Sequence, residues 1–291
     1  MSTMIGPVPS WKVVIVSQVL PAVVGYDGAL RAAGHDPVAL LTTRRSRDDA
    51  ERYPDFQALV ADAPSHLDVV MPRDRTQMAP LLAAYEPDLV LCTGFGWRIP
   101  PEALAVPKIG AVNGHPSLLP RWRGPSPVAW ALRNGETELG FTFHLMDEDF
   151  DTGAVLSQGS VPLDDEDDSW DTLGEKIGPL AMGLLHRALE RLEAGDRGDP
   201  QMGESSYAPF FGEDYVSLDW SRPAREVHNQ VRAWRFMPFS PVIPDRGPIA
   251  ELDGEAVRVL RTRLAPGEGV RVECADGPIW VLETEPARVS R

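Results

Sequence analysis

Asn113, His115 and Asp151 are the residues of this chain whose types and spacing could do chemistry together. The amide and the imidazole stand two apart at the head of NGHPSLLPRWRG (113–124), and the carboxylate lies in a second polar turn, DEDFDTG (147–153). A carboxylate beside an imidazole fixes its tautomer and raises its basicity. The imidazole can then carry a proton from nucleophile to leaving group, while an amide N–H binds a carbonyl oxygen as it becomes an oxyanion. Such a trio suits acyl transfer in which an amine attacks directly, with no serine or cysteine nucleophile. Ser117 lacks the G-x-S-x-G elbow of a nucleophilic serine and is read as a substrate contact. A lone histidine after a strand is more often structural than catalytic. The amide two residues before it, and a carboxylate in a second loop of the same kind, shift that balance.

The flanking segments must position these groups. Pro116 and Pro120 bar helix and interior strand, so 113–124 is expected to be a fixed loop leaving a strand at KIGAV (108–112). A second strand is expected at ELGFTFHLM (138–146), ahead of the Asp151 turn. If the two strands are neighbours, both loops leave the same side of the sheet, at the crevice where open α/β sheets bind ligands.

Further strands are read at KVVIVS (12–17), PVALLT (37–42), 67–71 and DLVLCT (88–93), with helices at 26–33, 76–85 and 126–134. The turn after DEDFD leads into a strand ending near Val161, and a long amphipathic helix follows at 170–194. This alternation gives an α/β class: a Rossmann-like, doubly wound, mostly parallel sheet. The acidic run DDEDD (164–168) is read as the cap of the long helix, where carboxylates suit the helix dipole. GDRGDPQMG (195–203) reads as a linker. Beyond it, residues 219–221 are expected to cap a helix at 223–234, and short runs at 248–252, 255–264, 269–276 and 278–283 read as a small barrel or open sheet. The expected domains are therefore 1–200 and 201–291, the second comprising a linker helix and a small, mainly β unit.

Composition removes several classes of function. The formal net charge is −15, which repels phosphate backbones unless a basic patch is concentrated somewhere. Nucleic acid is thus a disfavoured partner, with tRNA kept as an alternative. The first βα turn carries neither a G-x-G-x-x-G pattern nor a P-loop. No two of the six histidines lie two or four apart, so no metal is expected. No apolar run reaches the ~20 residues that span a bilayer, and the first residues do not read as a signal peptide. Two widely separated cysteines, Cys92 and Cys274, suit a reducing, cytoplasmic setting. The mixed-charge run 44–54 reads as a solvated loop and helix start.

NGHPSLLPRWRG followed by D-x-x-x-D-T-G resembles the formyltransferases that use 10-formyltetrahydrofolate. Members include methionyl-tRNA formyltransferase, sugar N-formyltransferases, glycinamide ribonucleotide transformylase and formyltetrahydrofolate hydrolases. The His115-to-Asp151 spacing is similar to the family's, and the tail with LDWSRPAREVHNQVRAW resembles the C-terminal part of the methionyl-tRNA and sugar branches. The resemblance implies Asn113, His115 and Asp151 as the catalytic trio. It implies a pterin pocket lined by Phe95, Gly96, Trp97, Arg98 and Ile99 and by the backbone of Asp147, Glu148, Asp149 and Phe150. Arg121 and Arg123 are expected to steer the glutamate tail of the folate or the acceptor. The tRNA branch carries a basic insertion after the second strand, and here acidic residues interrupt the arginines of that region. The first reading is therefore a small-molecule amine acceptor, either a nucleotide-linked amino sugar or an amino-acid-derived amine such as hydroxyornithine. Alternatives are methionyl-tRNA formyl transfer, hydrolysis of the donor, and folate binding without turnover. The C-terminal unit is expected to shape an acceptor pocket or a homodimer contact.

Overall fold

The computed structural model describes residues 10–43, 55–237 and 247–287, so the 44–54 run lies outside the described residues. The first strand, β1 (Lys12–Ser17), is buried at every position after Lys12. A β-branched run of this kind fills a strand covered on both faces. It leads into α1 (Leu20–Ala32), which carries proline in its first turn, where the missing N–H costs nothing. The helix starts earlier than the expected residue 26, because Val23 and Val24 blur its period. Gly34, with φ +88°, ends it.

The chain then forms β2 (Asp36–Leu41), α2 (Asp55–Asp62), β3 (Asp68–Val70), α3 (Met78–Tyr85), β4 (Leu89–Thr93), α4 (Pro101–Leu104), β5 (Gly110–His115) and α5 (Pro127–Arg133). It continues through β6 (Glu138–Leu145), β7 (Val155–Pro162) and α6 (Trp170–Glu193). The sheet order is β3-β2-β1-β4-β5-β6-β7. Pairs β2/β3, β1/β2, β1/β4 and β4/β5 are parallel, whereas β5/β6 is antiparallel. The fold is thus the expected Rossmann-like one, with a mixed sheet. Val14, Val16, Leu41, Val90, Cys92 and Ala111 from the strands pack with Met78, Leu82 and Ala103 from the helices to form a core cluster.

By compactness the chain divides into one unit of residues 1–120, 140–159 and 177–204 and another of 121–139, 160–176 and 205–291. The second holds α7 (Ala224–Arg235), β8 (Ile249–Leu252), β9 (Glu255–Arg263), β10 (Val270–Cys274) and β11 (Gly277–Pro286). These strands make an antiparallel sheet in the order β10-β11-β9-β8. Val227 and Val231 of α7 pack with Ala250, Val259, Ile279 and Val281 of the sheet.

Two expected caps are built differently. Asp219 accepts from Ser221, and the first N–H of α7, that of Ala224, instead donates to Asp276 Oδ1 at 2.7 Å. For α6 the cap is Ser169, whose Oγ accepts from Thr172 N. The acidic run pairs with cations: Asp164 and Asp167 with Lys176, Asp165 with Arg225, and Asp168 with Arg261. Arg232, only 5% exposed, donates to the carbonyls of Asp164 and Asp167. A buried guanidinium must find acceptors, a stronger demand than a helix-dipole preference worth ~0.3–1 kcal/mol.

Candidate active site

Asn113 and His115 belong to β5 itself and not to the loop after it. Asn113 is laddered on two sides, opposite Cys92 of β4 and His144 of β6, and His115 stands opposite Thr142 of β6. Those ladders carry the strand as far as Pro116, where the missing N–H ends it. In a strand, residues two apart share a face, which accounts for the Asn-x-His spacing. Gly114 between them faces the other way. A Cβ there would lie 2.5 Å from the Tyr26 hydroxyl and 3.1 Å from the rings of Phe141 and Phe143.

The two strands are neighbours as expected, but they run antiparallel, so their following loops do not leave one edge side by side. The exit of β6 lies beside the start of β5, where Met146 N donates to Ala111 O at 2.8 Å. The 147–153 turn must then fold back along β5 to bring its carboxylate to the site. Its construction explains the motif. Asp147 Oδ1 accepts from Thr152 Oγ1 at 2.6 Å and Asp149 N at 3.2 Å. Asp151 takes the left-handed backbone region with φ 56°. Gly153 passes so close to Leu145 that a Cβ would lie 1.8 Å from its carbonyl oxygen. Gln201 Nε2 donates to Asp151 O at 2.8 Å and to Gly153 O at 2.9 Å.

The result is a tight cluster. Asp151 Oδ1 lies 3.2 Å from Asn113 Nδ2 and 3.5 Å from His115 Nδ1. A further imidazole joins it: His144 Nε2 is 3.3 Å from Asn113 Nδ2 and 3.5 Å from Asp151 Oδ1. His115 and His144 are buried, their rings edge to face with centroids 6.5 Å apart. Burial, with the nearby Asp151 charge adding to it, pushes the Cys92 thiol up to about 12, so it stays protonated and supplies no thiolate nucleophile. Among the described residues, no group of three or more His, Cys, Asp or Glu side chains is placed to hold a metal ion.

The other expected site residues fall in three places. Phe95 and Trp97 are half-buried against the core cluster that contains Ile99, with rings 6.1 Å apart and edge to face. Gly96 N donates to Gln18 Oε1 at 3.0 Å. Arg98 joins this loop to the Asp151 turn: it donates to the Glu148 carbonyl, lies 4.0 Å from Asp149 Oδ1, and sits 5.5 Å above the exposed Phe150 ring. Ser117 is buried, and its carbonyl accepts from Thr142 Oγ1 at 2.6 Å. Arg121 and Arg123 belong to the second unit. There Arg121 pairs with Glu136, and the Arg123 backbone bonds to Ser206 and Ala208.

Sequence reading missed His144 and Gln201. His144 sits in the alternating run FTFHL and looks like a core residue until the register places it opposite Asn113. Gln201 lies in the stretch read as a linker, and no local signal marks it.

The sequence profile of the Formyl transferase family matches residues 13–189. Methionyl-tRNA formyltransferase of Pelobacter propionicus is 36% identical over 220 residues, which cover 70% of this chain and 66% of that one. The methionyl-tRNA formyltransferase of Geobacter sulfurreducens is 34% identical over 213 residues, covering 68% and 64%. The chain thus spans slightly less than two thirds of the length of these two relatives. Among solved structures, a sugar N-formyltransferase from Shewanella sp. superposes with a TM-score of 0.63 at 20% identity, covering 88% of this chain and 98% of that one. HypX from Aquifex aeolicus, in complex with tetrahydrofolic acid, gives a TM-score of 0.62 at 17% identity, covering 95% and 44%. At such identities the likeness is one of fold. No helix among the described residues is long and apolar enough to cross a membrane.

Proposed function

The chain belongs to the formyl transferase family, and from that premise we propose that it moves a formyl group from 10-formyltetrahydrofolate to an amine, using Asn113, His115 and Asp151. The observation that carries this reading is the position of Asp151 Oδ1, within 3.2 Å of the Asn113 amide nitrogen and 3.5 Å of the His115 imidazole. Asp151 lies beside His115 Nδ1, and Nε2 is the atom assigned to proton transfer. As the amine nitrogen bonds to the formyl carbon, His115 accepts the amine's proton. Asn113 donates an N–H to the formyl oxygen while that oxygen carries negative charge. His115 then returns the proton to the folate nitrogen as the old C–N bond breaks. The residues at the mouth fit a pterin, which needs flat apolar walls edged by backbone groups: the Phe95, Trp97 and Phe150 rings and the 147–150 backbone supply these.

Residues 1–200 would serve as the catalytic domain, and 201–291 as an acceptor or dimer contact, in a cytoplasmic enzyme. For the acceptor, the methionyl-tRNA formyltransferase relatives support methionyl-tRNA, the reading placed second above, over a small amine. The net charge of −15 is the observation that keeps the small amine in contention. An acceptor panel with the formyl donor decides between them. Methionyl-tRNA, a nucleotide amino sugar and hydroxyornithine are each offered at low and high salt, beside a sample with no acceptor. Formylation of one acceptor supports transfer. Fast formate release with no acceptor, and no formylated product from any, would instead favour a hydrolase.

A further inference from the structure

His144 stands outside both motifs, is 2% exposed, and has three polar neighbours at its two ring nitrogens: the Leu145 carbonyl, the Asn113 amide and the Asp151 carboxylate. Its Nδ1 lies 2.9 Å from the Leu145 carbonyl oxygen, which can only accept, so Nδ1 carries a hydrogen. Its Nε2 faces Asn113 Nδ2 at 3.3 Å. The orientation of that amide is fixed in turn, because Nδ2 also lies 3.2 Å from Asp151 Oδ1. Flipping the amide would set its oxygen against a carboxylate. The NH2 group therefore has two acceptors, one for each hydrogen: the carboxylate and the imidazole. An Nδ1–H ring whose Nε2 accepts from Asn113 satisfies both of these contacts.

We propose that His144 is a positioning residue for formyl transfer, anchoring one N–H of Asn113 so that the other is held ready to pass from Asp151 to the formyl oxygen. The backbone prepares this arrangement, since Asn113 and His144 are directly opposed across the β5/β6 ladder and so project from the same face. Two diverging hydrogens with two fixed acceptors define the amide plane. Without the imidazole that plane is held at one point, and the oxyanion donor loses its preset direction, the property that gives such donors their effect. The inference rests on the catalytic reading of Asn113 given above.

The test is a double-mutant cycle with a spectroscopic arm. His144→Phe keeps the ring volume and removes the acceptor; it lowers kcat roughly ten- to hundredfold, the range expected when a buried donor loses its partner, with the donor KM within about twofold. His144→Gln returns an oxygen acceptor where Nε2 stood and restores most of kcat. In an Asn113→Ala background, His144→Phe costs nothing further. Independently of activity, the 15N spectrum of the wild-type ring shows His144 as the neutral Nδ1–H tautomer, a readout that stands even if His144→Phe does not fold. An unchanged kcat in His144→Phe, an equal loss in the Asn113→Ala background, or an Nε2–H ring overturns the proposal. A fully active Asn113→Ala would instead overturn the catalytic reading, while the spectrum still reports the His144–Asn113 bond.

Discussion

Gln201 is the clearest place to test how Asp151 is held. Its two N–H···O=C bonds, at 2.8 and 2.9 Å, clamp the carbonyls on either side of Thr152. Asp151 between β6 and this clamp has φ 56°, a conformation costing a non-glycine residue roughly 1–2 kcal/mol. Each hydrogen bond is worth about 1 kcal/mol net, so the clamp offsets a cost of its own size. Gln201→Met keeps the shape and removes both donors. The turn then loses about 2 kcal/mol of support, and its population with the carboxylate in place falls by up to about 30-fold. The assay is steady-state formyl transfer, with thermal unfolding measured beside it. The expected result is a ten- to thirtyfold loss of kcat/KM, with Tm lowered by at most a few degrees because the strain is local. Activity within twofold of wild type would mean instead that the turn is set by its own sequence and not by Gln201.

Three other outcomes follow from the same structure. Gly153→Ala puts a Cβ into the Leu145 carbonyl, so the turn must shift; formyl transfer falls by at least a hundredfold while circular dichroism stays that of the folded protein. Arg98→Ala removes the contacts to Glu148 and Phe150; a cation–π contact of about 0.5–1 kcal/mol corresponds to a two- to fivefold rise in donor KM with kcat little changed. His228 is buried, and burial, helped by the Arg232 charge, lowers its pKa from 6.5 to about 4. Between those values the unfolded chain binds the proton and the folded chain does not, so stability falls as pH drops from 6.5 toward 4, by about 3 kcal/mol at the low end. Urea unfolding at several pH values checks this, and His228→Asn, whose amide still reaches Thr262, should flatten that part of the profile.

How far the sequence revealed the site follows from the range of the interactions. That Asn113, His115 and Asp151 come together was legible because each motif is local, with a turn whose Asp147, Asp151 and Gly153 serve the turn itself; that Asn113 and His115 end a strand and do not lie in a loop was not. The sheet was legible because buried β-branched runs have few other fates. The direction of β6 was not, since KIGAV and ELGFTFHLM read alike whether parallel or antiparallel. His144 was invisible for the same reason: a histidine in an alternating strand has meaning only through the register that sets it opposite Asn113. Gln201 acts on backbone carbonyls 48 and 50 residues away, and Asp276 caps a helix 52 residues away. The acidic run was misjudged because its arginine partners on α7 and β9 come together with it only in the folded unit.

Asn113, His115 and Asp151 are proposed to act as one unit on the formyl group. The most direct measurement is single-turnover formyl transfer by Asn113→Ala, His115→Ala and Asp151→Asn, with donor affinity measured on the same samples. The expected result is a rate loss of about a thousandfold or more in each, donor affinity within a few-fold of wild type, and no proportional further loss when two changes are combined. A single variant that transfers the formyl group at close to the wild-type rate would contradict it.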